Sequence, residues 1–389
     1  MLRVEWVTSE ADIPAGLWDA WFDAPYESRW WYQALERSGL GDQFTFFYAI
    51  VYQQNDPVAV APAFLMDVPV QLVFPPVLMP MVNLLGRFFP SLLYQRTFFI
   101  GSPCGDEGRV GMCDGADFLE VVRVINQAMQ EYANMLKAPM RVWKDFADEH
   151  QADFSKIQKC EGLFKLISFP GTEVKLEGAN KEGYIASLKA SRRNKLKKKL
   201  NQAAKAPVDV QILQQPNAEE TDEIFSLFWQ TYEKGTTKFE RLNRQFFDLI
   251  SSCSPAYYVV LRERNSKKIV SFMLCFALGK HVINKFIGID YSRPKEWFLY
   301  YRLWEATVAW AYSIGARSIQ SGQTGYAAKI ELGNDMVPLT NYCKHKNPIM
   351  HWIYARVAKM VNWDTLDEDL SAYVKAYPDL MPDSKNQPN

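Results

Sequence analysis

Hydrophobic positions along the chain switch between two spacings, and the switch points divide it into elements. Pro14 to Phe22 and Arg29 to Ser38 read as amphipathic helices, with Trp18, Trp21, Trp30 and Trp31 as large packing residues. Phe44 to Gln53 and Pro57 to Met66 are rich in β-branched and aromatic residues and flank the turn-like Asn55-Asp56-Pro57, which predicts a hairpin. From Phe118 to Leu136 apolar residues return every three or four positions, so a long helix is expected, followed by a strand at Pro139 to Lys144. The second half repeats this order. Helix, hairpin, helix and strand fall at Glu219 to Glu233, Tyr257 to Leu278, Glu296 to Ile314 and Arg317 to Ser321, and His281 to Ile289 adds a third strand beside the hairpin. No residue-level repeat accompanies the recurring order. The segment 166–180, which carries glycines and a proline, is the expected passage between a domain at 1–165 and another at 181–389.

A length of 389 residues fits two domains better than one. The charges balance, 44 basic against 44 acidic, which argues against a surface that coats nucleic acid throughout. Six scattered cysteines without a CxxC pair and four histidines without helical pairing predict reduced thiols and no metal site. The N-terminus carries acids and a tryptophan instead of a basic start and long apolar run, so the expected location is cytoplasmic. Val68 to Gly86 contains no charge, which is long enough for a span, but Pro69, Pro75, Pro76 and Pro80 each remove an amide donor. The segment 68–94 is therefore expected to cover a site or to touch a membrane peripherally, without spanning it.

Two stretches carry candidate chemistry. Between Tyr184 and Val208 there is no acid, while eight lysines and arginines are present, so a basic helix is predicted over 185–205. At helical spacing Ile185, Leu188, Leu196 and Ala203 form one apolar stripe, and Arg192 falls inside it. A guanidinium there pairs with an internal carboxylate or faces a ligand phosphate. The second stretch, QSGQTGYAAKIELG at 320–333, places Gly322, Gln323 and Gly325 at a turn after a strand and leads into a short helix bearing Lys329.

These features resemble the GNAT acyltransferase superfamily and, within it, the Fem-like branch associated with peptidoglycan and related acyl or aminoacyl transfer. SLKASRRNKLKKKLNQA is similar to that branch's basic helix, LYYRLWEATVAWAYSIGARSIQSG to its helix, small-residue turn and fifth strand, and GYAAKIELG to a loop in which a lysine (Lys329) precedes a glycine (Gly333). The resemblance covers 180–350 well. It implies an α+β fold of tandem GNAT-like domains, each a mixed, mostly antiparallel sheet flanked by helices, with a ligand channel in the second. It also implies an N-acyltransferase that passes an acyl or aminoacyl group from acyl-CoA or aminoacyl-tRNA to a small-molecule or nucleotide-linked amine acceptor, without a covalent enzyme intermediate. The position of the usual glycine-rich pyrophosphate loop reads Asp290-Tyr291-Ser292-Arg293-Pro294-Lys295-Glu296, so Arg293 and Lys295 are the expected phosphate contacts. Lys329 is expected to neutralise developing negative charge, Tyr326 to donate a proton to the leaving group, and His281 to bind substrate or act as a base, or else to be a bonded edge histidine. The missing glycine loop leaves an alternative open: a non-catalytic binding protein that holds a phosphorylated or membrane-associated ligand.

Overall fold

The computed structural model of the protein describes residues 1–70, 79–87, 93–235 and 240–377. Its chain folds as two compact units, one made of Met1–Phe22, Gly41–Pro170 and Val337–Asn389, the other of Asp23–Leu40 and Gly171–Met336. The expected division into 1–165 and 181–389 is corrected in two places. Helix α1 (Ala15–Trp21) stays in the first unit but α2 (Arg29–Arg37) belongs to the second, and the chain returns to the first unit after residue 336.

In the first unit, β1 (Leu2–Val7), β2 (Thr45–Gln53), β3 (Asp56–Pro69) and β4 (Tyr94–Ile100) form an antiparallel meander, with the short β5 (Gly111–Met112) on β3. β4 then runs parallel to β6 (Met140–Ala147). The sheet is completed from the far end of the chain: β15 (Leu339–His345) inserts antiparallel between β6 and β7 (Phe164–Ile167). α3 (Met79–Gly86) follows β3, and α4 (Phe118–Met135) and α5 (Gln151–Glu161) flank β6 in sequence. Val121, Val122, Ile125 and Met129 of α4 are buried with Phe98, Trp143, Phe154 and Tyr342 in one core. Asp117 starts α4 by accepting the Glu120 amide at 3.0 Å. Among the described residues, α12 (Pro348–Ala358), α13 (Trp363–Leu366) and α14 (Glu368–Ala376) follow β15.

The second unit repeats the plan. β9 (Val208–Leu213), β10 (Ala256–Glu263), β11 (Ile269–Leu278) and β12 (His281–Ile289) form the antiparallel meander, and β12 is parallel to β13 (Ser318–Gln320). β8 (Gly171–Lys175), made before this unit's own meander, inserts antiparallel beside β13, with β14 (Asp335–Val337) on its other side. α6 (Lys181–Ser187) and α7 (Ala190–Ala203) precede β9, α8 (Ala218–Lys234) and α9 (Arg244–Ser251) follow it, α10 (Leu299–Ser313) links β12 to β13, and α11 (Tyr326–Glu331) follows β13. Each unit is thus a mixed, mostly antiparallel sheet flanked by helices, and the strand beside the last parallel strand of each, β15 or β8, is made far in sequence from the strand it joins. β-branched and aromatic alternation specifies the meanders because neighbouring strands pair locally. The inserted strands depend on contacts far apart in sequence, which explains why a single crossing point was expected.

The apolar segment 68–94 lies only partly within the described residues. Pro69 ends β3 and Pro80 begins the first turn of α3, whereas Pro75, Pro76 and their neighbours lie outside. Among the described residues no helix is long and apolar enough to cross a membrane.

Candidate functional site in the second unit

β12 and β13 pair over only three positions, His281 with Ser318, Val282 with Ile319 and Ile283 with Gln320. β13 ends there, while β12 continues to Ile289, so residues 284–289 have, among the described residues, no strand on that side. A register slip accompanies the parting. Leu274 of β11 faces Phe286 and Cys275 faces Asn284, which leaves Lys285 as an extra residue with no cross-strand partner. Such a slip re-aims side chains and leaves backbone groups outside the ladder. α8 supports the open strand from behind: a Cβ at Gly288 would stand 2.7 Å from the Leu227 carbonyl carbon and the Phe228 nitrogen, so only glycine permits this approach. Phe286 packs between Phe228 and Phe246, at ring separations of 5.8 and 5.9 Å. The Lys285 ammonium, almost wholly buried, pairs with Glu27 at 2.8 Å and lies 5.0 Å from the Trp31 ring. Glu27 and Trp31 explain why the 23–40 segment belongs to this unit, a pairing with no local cue along the chain.

The loop 321–325 turns away from β13 through left-handed glycines at Gly322 (φ 62°) and Gly325 (φ 66°). Lys329, expected to face a ligand or solvent, is buried, and its ammonium donates to the Ser321 carbonyl and, at 3.1 Å, to the Gly322 carbonyl. The Gly322 carbonyl also accepts from Thr172 Oγ1 at 2.9 Å, and the Ser321 amide donates to the Thr172 carbonyl at 2.8 Å. Lys329 is therefore a clamp on the loop. Tyr326 is fully buried, so its expected role as proton donor is corrected: a hydroxyl without exposed surface has no route to a leaving group on the open strand. Gly333 has its own packing role, since a Cβ there would lie 2.4 Å from Leu188 Cδ2. The Tyr184 hydroxyl donates to the Leu332 carbonyl and accepts from Trp304 Nε1 at 3.0 Å, fixing the same corner. Burial pushes the Tyr184 phenol up, so it stays a neutral donor.

The basic helix is two helices. Leu188 adopts an extended conformation (ψ 143°) between α6 and α7, and Arg193 closes the end of α6 by donating to the Ala186 and Leu188 carbonyls at 2.9 and 3.0 Å. Ile185, Leu188, Leu196 and Ala203 are all buried, and Arg192 is half-buried. Lys199 lies over the Tyr301 ring at 4.0 Å and donates to Glu331 and to the Tyr301 hydroxyl, each at 2.6 Å. Desolvation lowers its pKa, but the bonds to Glu331 and Tyr301 outweigh that and raise it, so Lys199 stays charged. Lys195, Lys197 and Lys198 remain exposed.

The structure bears on two further expectations. Arg293 is already held by Asp290 at 3.0 Å and Glu263 at 3.1 Å, and the Ser292 amide and hydroxyl both donate to Asp290 at 2.9 and 2.6 Å. The stretch after β12 is closed on itself, with only Lys295 exposed and unbonded in position for an anion. His281 bonds Ser318 Oγ through Nδ1 at 2.8 Å at the closed start of β12. At about 3.3 Å per residue it stands roughly 13 Å along the strand from Lys285, as a bonded histidine at the start of β12, where strands pair on both sides.

A family model for FemAB-like proteins, described as peptidoglycan biosynthesis/recognition, matches residues 9–346. The chain belongs to the FemAB-like family. Among solved structures, this FemAB-like chain is similar to FemX, at 12% identity and a TM-score of 0.59, over 90% of this chain and 100% of that one. It is also similar to a tandem GNAT protein from the clavulanic acid biosynthesis pathway (10% identity, TM-score 0.53, 90% and 99% coverage). A third similar structure is L-PGS from Bacillus licheniformis (11% identity, TM-score 0.52, 84% and 96% coverage). These likenesses establish a tandem GNAT fold for this FemAB-like protein. No curated protein matches its sequence.

Proposed function

We propose that the protein is an aminoacyltransferase that passes an aminoacyl group from aminoacyl-tRNA to an amine acceptor along the open edge of β12. The parting of β13 from β12 beside the slipped residue Lys285 carries this reading. In direct transfer the neutral amine attacks the ester carbonyl, the C–N bond forms as the carbonyl π pair moves to oxygen, and the oxyanion collapses as the C–O bond to the ribose breaks and the proton given up by the amine nitrogen passes to the ribose oxygen. Backbone amides on a strand edge without a neighbour are suited to that oxyanion because they are fixed before the charge develops. Lys329 acts as a positioning residue through the Ser321 and Gly322 carbonyls, and Gly322, Gln323 and Gly325 form the wall beside the acceptor.

The donor is assigned from two features. The closed Asp290–Arg293–Glu263 network disfavours the pyrophosphate of acyl-CoA, because binding would first have to break two ion pairs. The exposed lysines of α7 suit a nucleic acid backbone. Membership of a family tied to peptidoglycan supports an amine acceptor from cell-wall precursors or related lipids.

Transfer assays with charged tRNAs and with acyl-CoAs against amine acceptors test this. Turnover with aminoacyl-tRNA that falls steeply with salt is the expected result. Turnover with acyl-CoA alone would overturn the donor, and ligand binding without turnover from either donor would favour a non-catalytic binding protein.

A further inference from the structure

The first unit carries a second feature, far from β12 in the chain. A cavity of about 210 Å³ opens at the start of β6 and the end of β15, lined by Arg141, Lys344, His345 and Lys346 with Gln130 and Asn134 among its polar walls. Its lining contains no acid. Arg141 is 7% exposed, and its guanidinium makes only long contacts to neutral groups, 3.4 Å to the Asn126 carbonyl and 3.4 Å to Gln130 Oε1. Glu161 is turned to Asn126 Nδ2 at 3.4 Å, and Lys344 donates to its backbone carbonyl. Burial lowers the Arg141 pKa and the Glu161 charge offsets part of that, yet an arginine stays charged, so the cavity holds a desolvated cation short of a counter-ion.

α12 begins two residues after the cavity residue Lys346. Its inner face is fixed: the His345 amide donates to His351 Nδ1 at 3.3 Å, the His345 ring stacks on Tyr354 at 5.7 Å, and the Tyr354 hydroxyl donates to Gln95 Oε1 at 2.9 Å. Its outer face is unusual for a helix on a globular surface, where polar residues are expected. Ile349 (69% exposed) and Trp352 (60%) stand three residues apart with exposed Arg356 one turn further on, and exposed Lys359 and Met360 (56%) follow at the end of the helix. The Arg356 guanidinium lies 5.4 Å from the Trp352 ring. No Asp or Glu occurs from Met336 to Trp363. The same rim continues across the cavity. Tyr94 (57% exposed) precedes Gln95, Met135 (70%) follows the cavity residue Asn134, and Arg96 ties the two by donating to the Leu136 carbonyl at 3.1 Å.

Exposed tryptophan and aliphatic side chains among cations, with no acid from Met336 to Trp363 and the rim residue Arg96 paired to Asp67 at 3.3 Å, match the interface between water and an anionic bilayer better than they match bulk water. The cavity adds a seat for one phosphate within that face. We propose that α12 and the adjoining Arg141 cavity form a peripheral docking face for membranes containing anionic phospholipid, with one lipid phosphate held by Arg141, Lys344 and Lys346. Trp352, Ile349 and Met135 enter the headgroup region, and Arg356, Lys359 and Lys346 meet its negative charge. This assignment stands independently of the aminoacyl-transfer reading.

Co-sedimentation of the full chain with sucrose-loaded vesicles tests it. Phosphatidylcholine vesicles are compared with vesicles that also carry phosphatidylglycerol. The protein should partition at least about tenfold more onto the anionic vesicles, and high salt should weaken the binding. The exposed-site variant Trp352→Ser/Arg356→Glu should lose about tenfold or more of that binding while melting as the parent does. Arg141→Gln, scored only if its melt shows a folded protein, should reduce the preference for anionic over neutral vesicles more than it reduces binding to neutral ones. Absence of vesicle binding, equal binding to both compositions, or a Trp352→Ser/Arg356→Glu variant that binds like the parent would each overturn the proposal. Saturable binding of glycerol phosphate at Arg141 without vesicle binding would also overturn it, in favour of a soluble phosphorylated ligand.

Discussion

The two units share one strand plan but treat the gap beside the parallel strand in opposite ways. In the second unit β12 runs on past β13 with an open edge. In the first, β4 pairs with β6 from Thr97–Met140 to Ile100–Trp143, and the loop that follows returns to seal the place. The Gly101 amide donates to Pro62 and the Gly108 amide to Asp145, each at 2.8 Å. A Cβ at Gly108 would stand 2.2 Å from the Lys144 carbonyl. Asp145, buried and in a left-handed conformation (φ 58°), is bound by Lys144 at 2.5 Å, by the Ser168 hydroxyl at 2.5 Å, and through its amide by Asn341 at 2.8 Å. A sealed gap is structural and an open one can receive a ligand, which is why the proposed chemistry is assigned to the second unit.

The largest expected effect breaks the seal. Asp145→Ala removes the buried carboxylate that holds the Lys144 ammonium and the Ser168 hydroxyl, and should cost about 3–5 kcal/mol in denaturant unfolding. Where the variant still folds, transfer activity should be close to that of the parent, and a selective loss of activity would place chemistry in the first unit. Next is the clamp on the open side. Lys329→Met orphans the Ser321 carbonyl but leaves the Gly322 carbonyl with Thr172, so the stability loss should be smaller, about 1–3 kcal/mol. Transfer should nevertheless fall about tenfold or more, because the loop beside β12 loses its position. Unchanged kinetics would remove Lys329 from the site.

Smaller effects sharpen the reading of α7. Lys197→Ala/Lys198→Ala should leave stability within about 0.5 kcal/mol and flatten the salt dependence of tRNA binding by roughly two phosphate contacts. Arg192→Ala, at a half-buried position, should exceed that stability change; if it behaves like the lysine variant, Arg192 belongs to the solvated face. Thiol labelling carries no energetic cost and comes last. Cys343 of the first sheet and Cys275 of the second are buried and their thiols are pushed up by burial, whereas Cys160 is exposed. Native protein should label at Cys160 first, and the urea at which Cys343 and Cys275 become reactive should report the unfolding of each unit separately.

Much of this was legible in the sequence where structure is local. The hairpins 44–66 and 257–278 and the helices later found as α1, α2, α4, α8 and α10 follow from periodicity, because each is specified by neighbours along the chain. β1, β8 and β15 were not foreseen, since five to seven residues carry little pattern and their partners lie far away in sequence. The break at Leu188 was hidden because alanines, Lys189 and the arginines Arg192 and Arg193 surround it with helix-favouring composition. At the site, Lys329 and the glycines were found by motif, but their function as clamp and spacers came from burial and carbonyl geometry. The Lys285–Glu27 pair, separated by 258 positions, had no sequence signal at all.

The inserted strands have a consequence for how the protein is made. A ribosome delivers β6 and β7 long before β15, so the first sheet waits with a vacant lane between them until residue 345 has left the exit tunnel. β8, by contrast, emerges ahead of the sheet it joins and waits for β13. Both lanes present unpaired backbone in the nascent chain, which is a template for wrong pairing. Factors that shelter growing chains should therefore matter more for the yield of this protein than its finished stability would suggest.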